Sequence, residues 1–134
     1  MKQLTIDGVP VAKGRPRLGR YGTYTPKKTQ EYEEYVKMCW FAKYGGVQPS
    51  EQSLEVNIVF YLPIPKSVNK KQRAEMLDGK IKHTKKPDID NLIKSVLDAL
   101  NGIAYSDDSK IIKVAAEKQY SEKPRTEIQI SEVT

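Results

Sequence analysis

Five aspartates lie in one stretch of a basic chain, between Lys85 and Ile111, at positions 88, 90, 98, 107 and 108. Carboxylates grouped this closely repel one another unless a cation lies among them. Their oxygens are hard ligands, which suit Mg²⁺ or Mn²⁺. A divalent metal held in this way can activate water and neutralise the charge that develops on a phosphodiester. The stretch therefore carries the residue types of a metal-dependent phosphodiesterase.

An amphipathic helix lies at the centre of this stretch. Apolar residues recur at i, i+1, i+4, i+5 and i+8, the spacing of one helical face, at Leu92, Ile93, Val96, Leu97 and Leu100. Pro87 and the acidic residues after it are start signals, and Asn101-Gly102 is a stop signal. We therefore predict a helix from Asp90 to Leu100.

The polar residues in and before this helix supply the candidate catalytic groups. Asp88 and Asp90 are two residues apart and project to the same side of an extended lead-in. Lys94, one turn beyond Asp90, could donate positive charge to a phosphate in the transition state. Asp107 and Asp108 could join the first pair as metal ligands if the chain reverses at the glycine that ends the helix.

The same residues also have purely structural interpretations. An Asp-x-Asp pair at a helix start can simply cap the helix. Asp90, Lys94 and Asp98 share one helical face and can form an exposed salt-bridge ladder worth about 0.3–0.5 kcal/mol per pair. The acidic pair at 107–108, followed by Ser109, can form an ordinary turn. We assign Asp98 to surface pairing, and both interpretations stay open for the other carboxylates.

The net charge of +6 is concentrated at the amino terminus. The first 30 residues carry seven Lys and Arg against one Asp, whereas residues 31–134 are electrically balanced. Such a concentration indicates a polyanionic partner, and nucleic acid is the first candidate. The candidate DNA-binding residues are Lys13, Arg15, Arg17, Arg20 and Lys27, together with Lys85 and Lys86 directly before the acidic stretch.

Residues 9–26 contain most of these cations and are predicted to form a long basic loop. Their glycines and prolines prevent a regular helix. The arginines offer planar forks for phosphates, and Tyr21 and Tyr24 offer stacking faces for bases. The alternative is a solvated, partly disordered connector with no DNA contact.

Length and composition predict one domain spanning residues 1–134, with 38% hydrophobic and 30% charged residues. Cys39 is the only cysteine, and we expect it to be a buried structural thiol. His83, the only histidine, is expected at the surface and not as a general base. We find no signal-peptide core and no apolar run near the ~20 residues of a membrane span. We therefore expect a cytoplasmic protein with no membrane partner and no small-molecule cofactor.

The remaining patterns predict the order β, basic loop, α, β, α, α, β, β. Strands are expected at residues 3–6, 54–61, 110–120 and 125–133. The other two helices are expected from Lys27 to the Gly45-Gly46 pair, with Thr25 as cap, and near residues 69–78, with Asn69 as cap. This order predicts the α/β class, a single small domain with a mixed β-sheet flanked by helices.

These motifs together resemble the RusA Holliday-junction resolvases, endonucleases common in bacteriophages and prophages. The specific part is Asp88-x-Asp90-Asn91-x-x-Lys94, followed by the acidic pair Asp107-Asp108. The segment Pro10-x-x-Lys13-x-Arg15-Pro16-Arg17, with Tyr24-Thr25-Pro26, is similar to the basic opening of the family. The resemblance runs through nearly the whole chain, and only the lysine-rich segment 66–86 contributes nothing to it.

The resemblance implies a small α/β homodimer with two active sites. Such a dimer would bind a four-way DNA junction and resolve it by paired, symmetric nicks in DNA recombination and repair. It implies a requirement for Mg²⁺, for which Mn²⁺ can substitute. It also implies that Asp88, Asp90 and one of Asp107 and Asp108, with Asp108 favoured, are the metal-binding catalytic carboxylates, and that Lys94 is the catalytic lysine.

A dimer agrees with the geometry of the substrate, because a junction has near-twofold symmetry and a twofold protein presents identical sites to opposing strands. Two alternatives stay open. The protein could bind branched DNA without cutting it, the acidic residues serving only to cap a helix. It could also be a nuclease of the same chemistry that acts on other branched DNA, such as flaps or forks.

Overall fold

The computed structural model describes residues 1–133. In chain order its elements are β1 (Lys2–Asp7), β2 (Arg17–Gly19), β3 (Gly22–Tyr24), α1 (Lys27–Tyr44), β4 (Ser53–Pro63), α2 (Lys70–Leu77), α3 (Ile89–Leu100), a 3-10 turn (Asp108–Lys110), β5 (Ile111–Ser121) and β6 (Arg125–Val133).

Four of the strands form one mixed sheet in the order β1-β6-β4-β5. Strand β6 pairs antiparallel with both β1 and β4, whereas β4 pairs parallel with β5. A parallel pair needs a long crossover connection. Here the crossover carries α2 and α3, so the acidic stretch lies within the connection that joins β4 to β5.

One face of this sheet forms the core beneath α1 and α3. Every second residue of β4 is buried, which is the period of a strand with one covered face. The helices bury the side chains Tyr32, Val36, Trp40, Leu92, Val96, Ala99 and Leu100 against this face. The apolar stripe predicted for α3 therefore anchors the acidic stretch to the core, and the α/β class with a mixed sheet and flanking helices is confirmed.

The predicted helices and strands of the core are found, with ends within two residues of the predicted ones. The cap at Asn69 is confirmed, because its side chain accepts a hydrogen bond from the Gln72 amide at 2.8 Å. The cap at Thr25 is wrong. Pro26 occupies the N-cap position, and the carbonyl oxygen of Thr25 accepts from the Gln30 side-chain amide instead. In residues 1–133, no helix combines the length and the apolar character needed to cross a membrane.

The prediction of an unbroken loop over residues 9–26 is wrong, because β2 and β3 form a hairpin there. Arg20 and Tyr21 form its turn, and Gly22 follows with φ +116°, a conformation that side chains disfavour. All six strand residues are exposed, and the hairpin is a separate two-stranded sheet. No apolar alternation marks such strands in the sequence, which is why the pattern predicted only a loop.

Two further predictions need correction. His83 is half-buried and not a surface residue: its ring lies 4.8 Å from that of Tyr120, and its buried Nδ1 has no hydrogen-bond partner among residues 1–133. Burial lowers the pKa of His83, and the nearby charge of Lys118 adds to this effect. Cys39 is half-buried and not fully buried, and burial raises the pKa of its thiol.

Candidate functional site

The acidic stretch begins where the chain enters α3. Asp88 occupies the N-cap position with an extended backbone, and Asp90 lies in the first turn. The Asp88 side chain makes no capping hydrogen bond. Both carboxylates are exposed, and neither belongs to an ion pair within residues 1–133. Their oxygens are therefore open to another cation.

The salt-bridge ladder considered along α3 does not form. Lys94 is exposed and takes part in no ion pair in the described part of the chain. Asp98 pairs instead with Lys13, at 3.1 Å between Oδ2 and Nζ. The assignment of Asp98 to surface pairing is therefore confirmed, and Lys94 keeps its ammonium available one turn beyond Asp90.

Lys118 fixes the chain that leads into α3. Its half-buried ammonium donates to the carbonyl oxygen of Lys85 at 2.8 Å and to that of Pro87 at 3.0 Å. Lys118 pairs in register with Phe60, a core position of β4, so its side chain starts from the covered face of the sheet. No sequence motif marks Lys118 as a functional residue. A lysine at an inward-facing position of a predicted strand is the signal that could have revealed it.

The chain reverses after α3, as the sequence analysis required for a shared site. Gly102 has φ +81°, and the Ala104 amide donates to the Leu100 carbonyl at 2.9 Å. The fully buried Tyr105 then donates its hydroxyl to the carbonyl oxygen of Leu97. The connector therefore packs back against the last turns of α3.

The second acidic pair follows this connector. Asp107 caps the 3-10 turn by accepting a hydrogen bond from the Ser109 amide at 3.0 Å. Hydrogen bonding to the side chain of Ser109, and then to its backbone amide, lowers the pKa of Asp107. Asp108 is exposed. Burial raises the pKa of Tyr105, and the charges of Asp108 and Asp98 raise it further. The turn suggested for residues 107–109 is therefore present.

The predicted metal ligands do not form a preassembled group. Within residues 1–133, no three His, Cys, Asp or Glu side chains are grouped so that they could hold a metal ion. The donor chemistry of the first pair nevertheless fits Mg²⁺, which commonly takes one or two carboxylates and completes its shell with waters and substrate phosphates. Asp88 and Asp90 offer exposed oxygens, and no cation of residues 1–133 forms an ion pair with them. The ligand roles of Asp88, Asp90, Asp107 and Asp108 stay predictions.

Lys13 differs from the other candidate DNA-binding residues, because its ammonium lies between two carboxylates. It is 3.1 Å from Glu33 on α1 and 3.1 Å from Asp98 on α3. Partial burial alone would lower the pKa of Lys13, but the hydrogen bonds and charges of these two partners outweigh it and raise the pKa. The backbone amide of Lys13 also donates to the Asn91 carbonyl at 2.8 Å. Lys13 thus connects residues 9–26, the basic segment, to both helices.

The remaining basic candidates are exposed. Lys27 makes a long surface ion pair with Glu31 at 3.8 Å. The others, which take part in no ion pair across residues 1–133, are Arg15, Arg17, Arg20, Lys85 and Lys86. Their charges are therefore available to phosphates, and their contact with DNA stays a prediction.

Comparison with known proteins identifies relatives along the whole chain. The uncharacterized protein YqaN of Bacillus subtilis (strain 168) is 36% identical over 138 residues, which cover 98% of this chain and 96% of that protein. A shorter match, 37% identical over 81 residues, relates 60% of this chain to 55% of the crossover junction endodeoxyribonuclease rusA of Lactococcus phage r1t.

The model of the family Endodeoxyribonuclease RusA matches residues 7–131. The matched range includes the basic segment, both acidic pairs and the lysine at position 94. The resemblance noted from the motifs is thereby confirmed, and the chain belongs to the RusA endodeoxyribonuclease family.

Proposed function

We propose that this protein is a structure-selective DNA endonuclease that resolves four-way (Holliday) junctions by paired, metal-dependent nicks. Membership of the RusA family supports an endonuclease, and the phage relative named for crossover junctions supports this substrate. The main support for the proposal comes from three side chains at the start of α3. Asp88, Asp90 and Lys94 are exposed and without ion pairs in the described residues, although the chain has many opposite charges that could pair with them.

Each group has a definite chemical role in this proposal. Asp88 and Asp90 would hold Mg²⁺, or Mn²⁺ in its place, with Asp107 or Asp108 as a further ligand. When bound, the metal supplies water activation and charge neutralisation at the phosphodiester. Lys94 would place its ammonium against the scissile phosphate, where negative charge grows in the transition state.

The basic segment would bind the phosphates that flank the cut. Arg15, Arg17 and Arg20 present guanidinium groups that pair with phosphate oxygens in two-point contacts. Lys85 and Lys86 are separated from Asp88 only by Pro87 and would contact the strand as it enters the site. We further propose a homodimer, since two symmetric cuts across a junction need two sites related by a twofold axis.

Cleavage of a labelled four-way junction in Mg²⁺ tests this proposal, with a linear duplex of the same sequences in parallel. We expect paired nicks on the junction, little cutting of the duplex and no cutting in EDTA. Tight junction binding without cleavage in either Mg²⁺ or Mn²⁺ would establish the non-catalytic alternative instead. Preferred cutting of flaps or forks in competition with the junction would establish the other alternative.

A further inference from the structure

A cavity of about 550 Å³ lies between the basic segment, the first turn of α1 and the residue that precedes Asp88. Its walls are mostly aliphatic or prolyl, formed by Val9, Pro10, Val11, Ala12, Pro26 and Pro87. Asp88, Asp90 and Lys94 are not among the residues that line it. Its volume lies within the range of small-ligand sites, which is ~300–1,000 Å³.

The charges around the cavity all have one sign. Arg15, Arg17 and Lys28 line it, and no carboxylate from residues 1–133 does. These three cations are exposed and have no ion-pair partner anywhere in residues 1–133. An apolar cavity with free cations around it complements a ligand that has a flat apolar body and a phosphate.

The wall of the cavity that carries Arg15 and Arg17 is hydrogen-bonded to both α1 and α3. The Lys13 amide donates to the Asn91 carbonyl on α3 at 2.8 Å, and the Gly14 amide donates to the buried Thr29 hydroxyl on α1 at 2.9 Å. Pro87 closes the cavity on the side of the acidic helix. A ligand held here would therefore adjoin a strand bound at Asp88 and Asp90.

We propose that this cavity receives one unpaired nucleotide of branched DNA, beside the phosphate to be cut; this inference rests on the proposed function. The aliphatic walls would pack on the faces of the base, and the cations would hold its phosphate. A base that is still paired with its complement cannot enter such a cavity. Removing a base from the stack costs least where pairing is already interrupted, so the cavity would favour branch points over linear duplex.

The direct test is a four-way junction that carries 2-aminopurine, a fluorescent adenine analogue, at single positions beside the crossover. Binding is measured in EDTA, so that no strand is cut. Stacking quenches this probe, and the residues that line the cavity include no aromatic side chain that would quench it. We expect the wild-type protein to raise the emission several-fold at one or two of these positions. A junction that binds with no rise at any position would overturn the inference.

A filled cavity gives an independent readout. Val9 is 52% exposed, so Val9→Trp can fill the cavity without replacing a core residue. The matched control is Val47→Trp, at a side chain that is 48% exposed and lies away from the cavity. We expect Val9→Trp to reduce the preference for junction over duplex about tenfold, with duplex binding unchanged. Equal preferences in the two variants would contradict the inference.

The experiments distinguish failure of the nuclease function from failure of the nucleotide pocket. Wild-type protein that cuts junctions but raises no emission would retain the nuclease function and lose the nucleotide pocket. Wild-type protein that raises the emission but never cuts would retain the pocket and lose the nuclease function. The emission of the wild-type complex decides the pocket even if Val9→Trp does not fold.

Discussion

Lys118 donates a hydrogen bond to the carbonyl oxygen of Pro87 at 3.0 Å, and so joins strand β5 to the residue before the first acidic pair. Strand β5 follows the 3-10 turn that contains Asp108, so Lys118 belongs to the strand that continues from the second acidic pair. Lys118 touches no candidate ligand, so its role would be to position the entrance of α3.

Replacing Lys118 with Met should therefore impair cleavage more than DNA binding. We expect the cleavage rate at saturating protein to fall about 10- to 100-fold, the usual result of a small misplacement in a site. Junction affinity should change less than about twofold, and Lys118→Arg should restore part of the rate. The control is Lys113→Met, at an exposed lysine of the same strand. Equal losses of binding and rate would identify Lys118 as a DNA contact instead.

A substitution at Lys13 tests whether this residue stabilises the fold or contacts DNA. Its ammonium joins Glu33 to Asp98, so Lys13→Met should leave two carboxylates without their partner. We expect the free energy of unfolding to fall by about 1 kcal/mol in urea titrations, because the pair is partly exposed. Lys27→Met, at an exposed surface pair, should change it by less than about 0.5 kcal/mol. Unchanged stability with weaker junction binding would show that Lys13 serves DNA and not the fold.

The exposed arginines of the basic segment should act through phosphates. Arg15→Ala should weaken junction binding and reduce the slope of log K against log salt by about 0.9, the value for one lost contact. Filter binding between low and moderate salt measures this slope. Arg73→Ala is the control, since its guanidinium is already paired with Glu122 at 2.9 Å. A slope equal to that of the wild type would show that Arg15 makes no phosphate contact and would favour a solvated connector without DNA contact.

His83 should make the fold sensitive to acid. Burial lowers its pKa in the folded protein, so the unfolded chain binds the proton more tightly. The stability that depends on neutral His83 is fully present above the unfolded pKa of about 6.5 and is lost as the pH falls through the lower folded value. In His83→Phe, which keeps a ring against Tyr120, the unfolding free energy should fall less between about pH 7 and about pH 5. Parallel curves for the two proteins would contradict this account.

Local signals account for the parts of the fold that were predicted. The stripe from Leu92 to Leu100, the Asn101-Gly102 stop and the Asn69 cap are all encoded within a few residues, and the structure contains all three elements. The two-stranded hairpin was missed because its exposed strands carry no apolar period. Thr25 failed as a cap because the following proline takes the N-cap position.

The long-range contacts of the site could not be predicted from local sequence signals. Lys13 meets Glu33 and Asp98, and Lys118 meets the carbonyl of Pro87, across separations that no local period records. The motif identified Asp88, Asp90 and Lys94 as candidates. Whether their side chains would pair or stay open depended on the fold, in which Lys13 pairs with Asp98 and Lys94 has no ion-pair partner among residues 1–133.

Asp90 is expected to act in cleavage and not in holding the fold or the DNA. The most direct test compares Asp90→Asn with the wild type on one four-way junction, measuring affinity without metal and the cleavage rate in Mg²⁺. Asp7→Asn is the control, at another exposed aspartate without an ion pair in residues 1–133. We predict a cleavage rate at least about 100-fold lower, with affinity equal or tighter because a negative charge near phosphate is gone. Cleavage by Asp90→Asn at the wild-type rate would contradict the account.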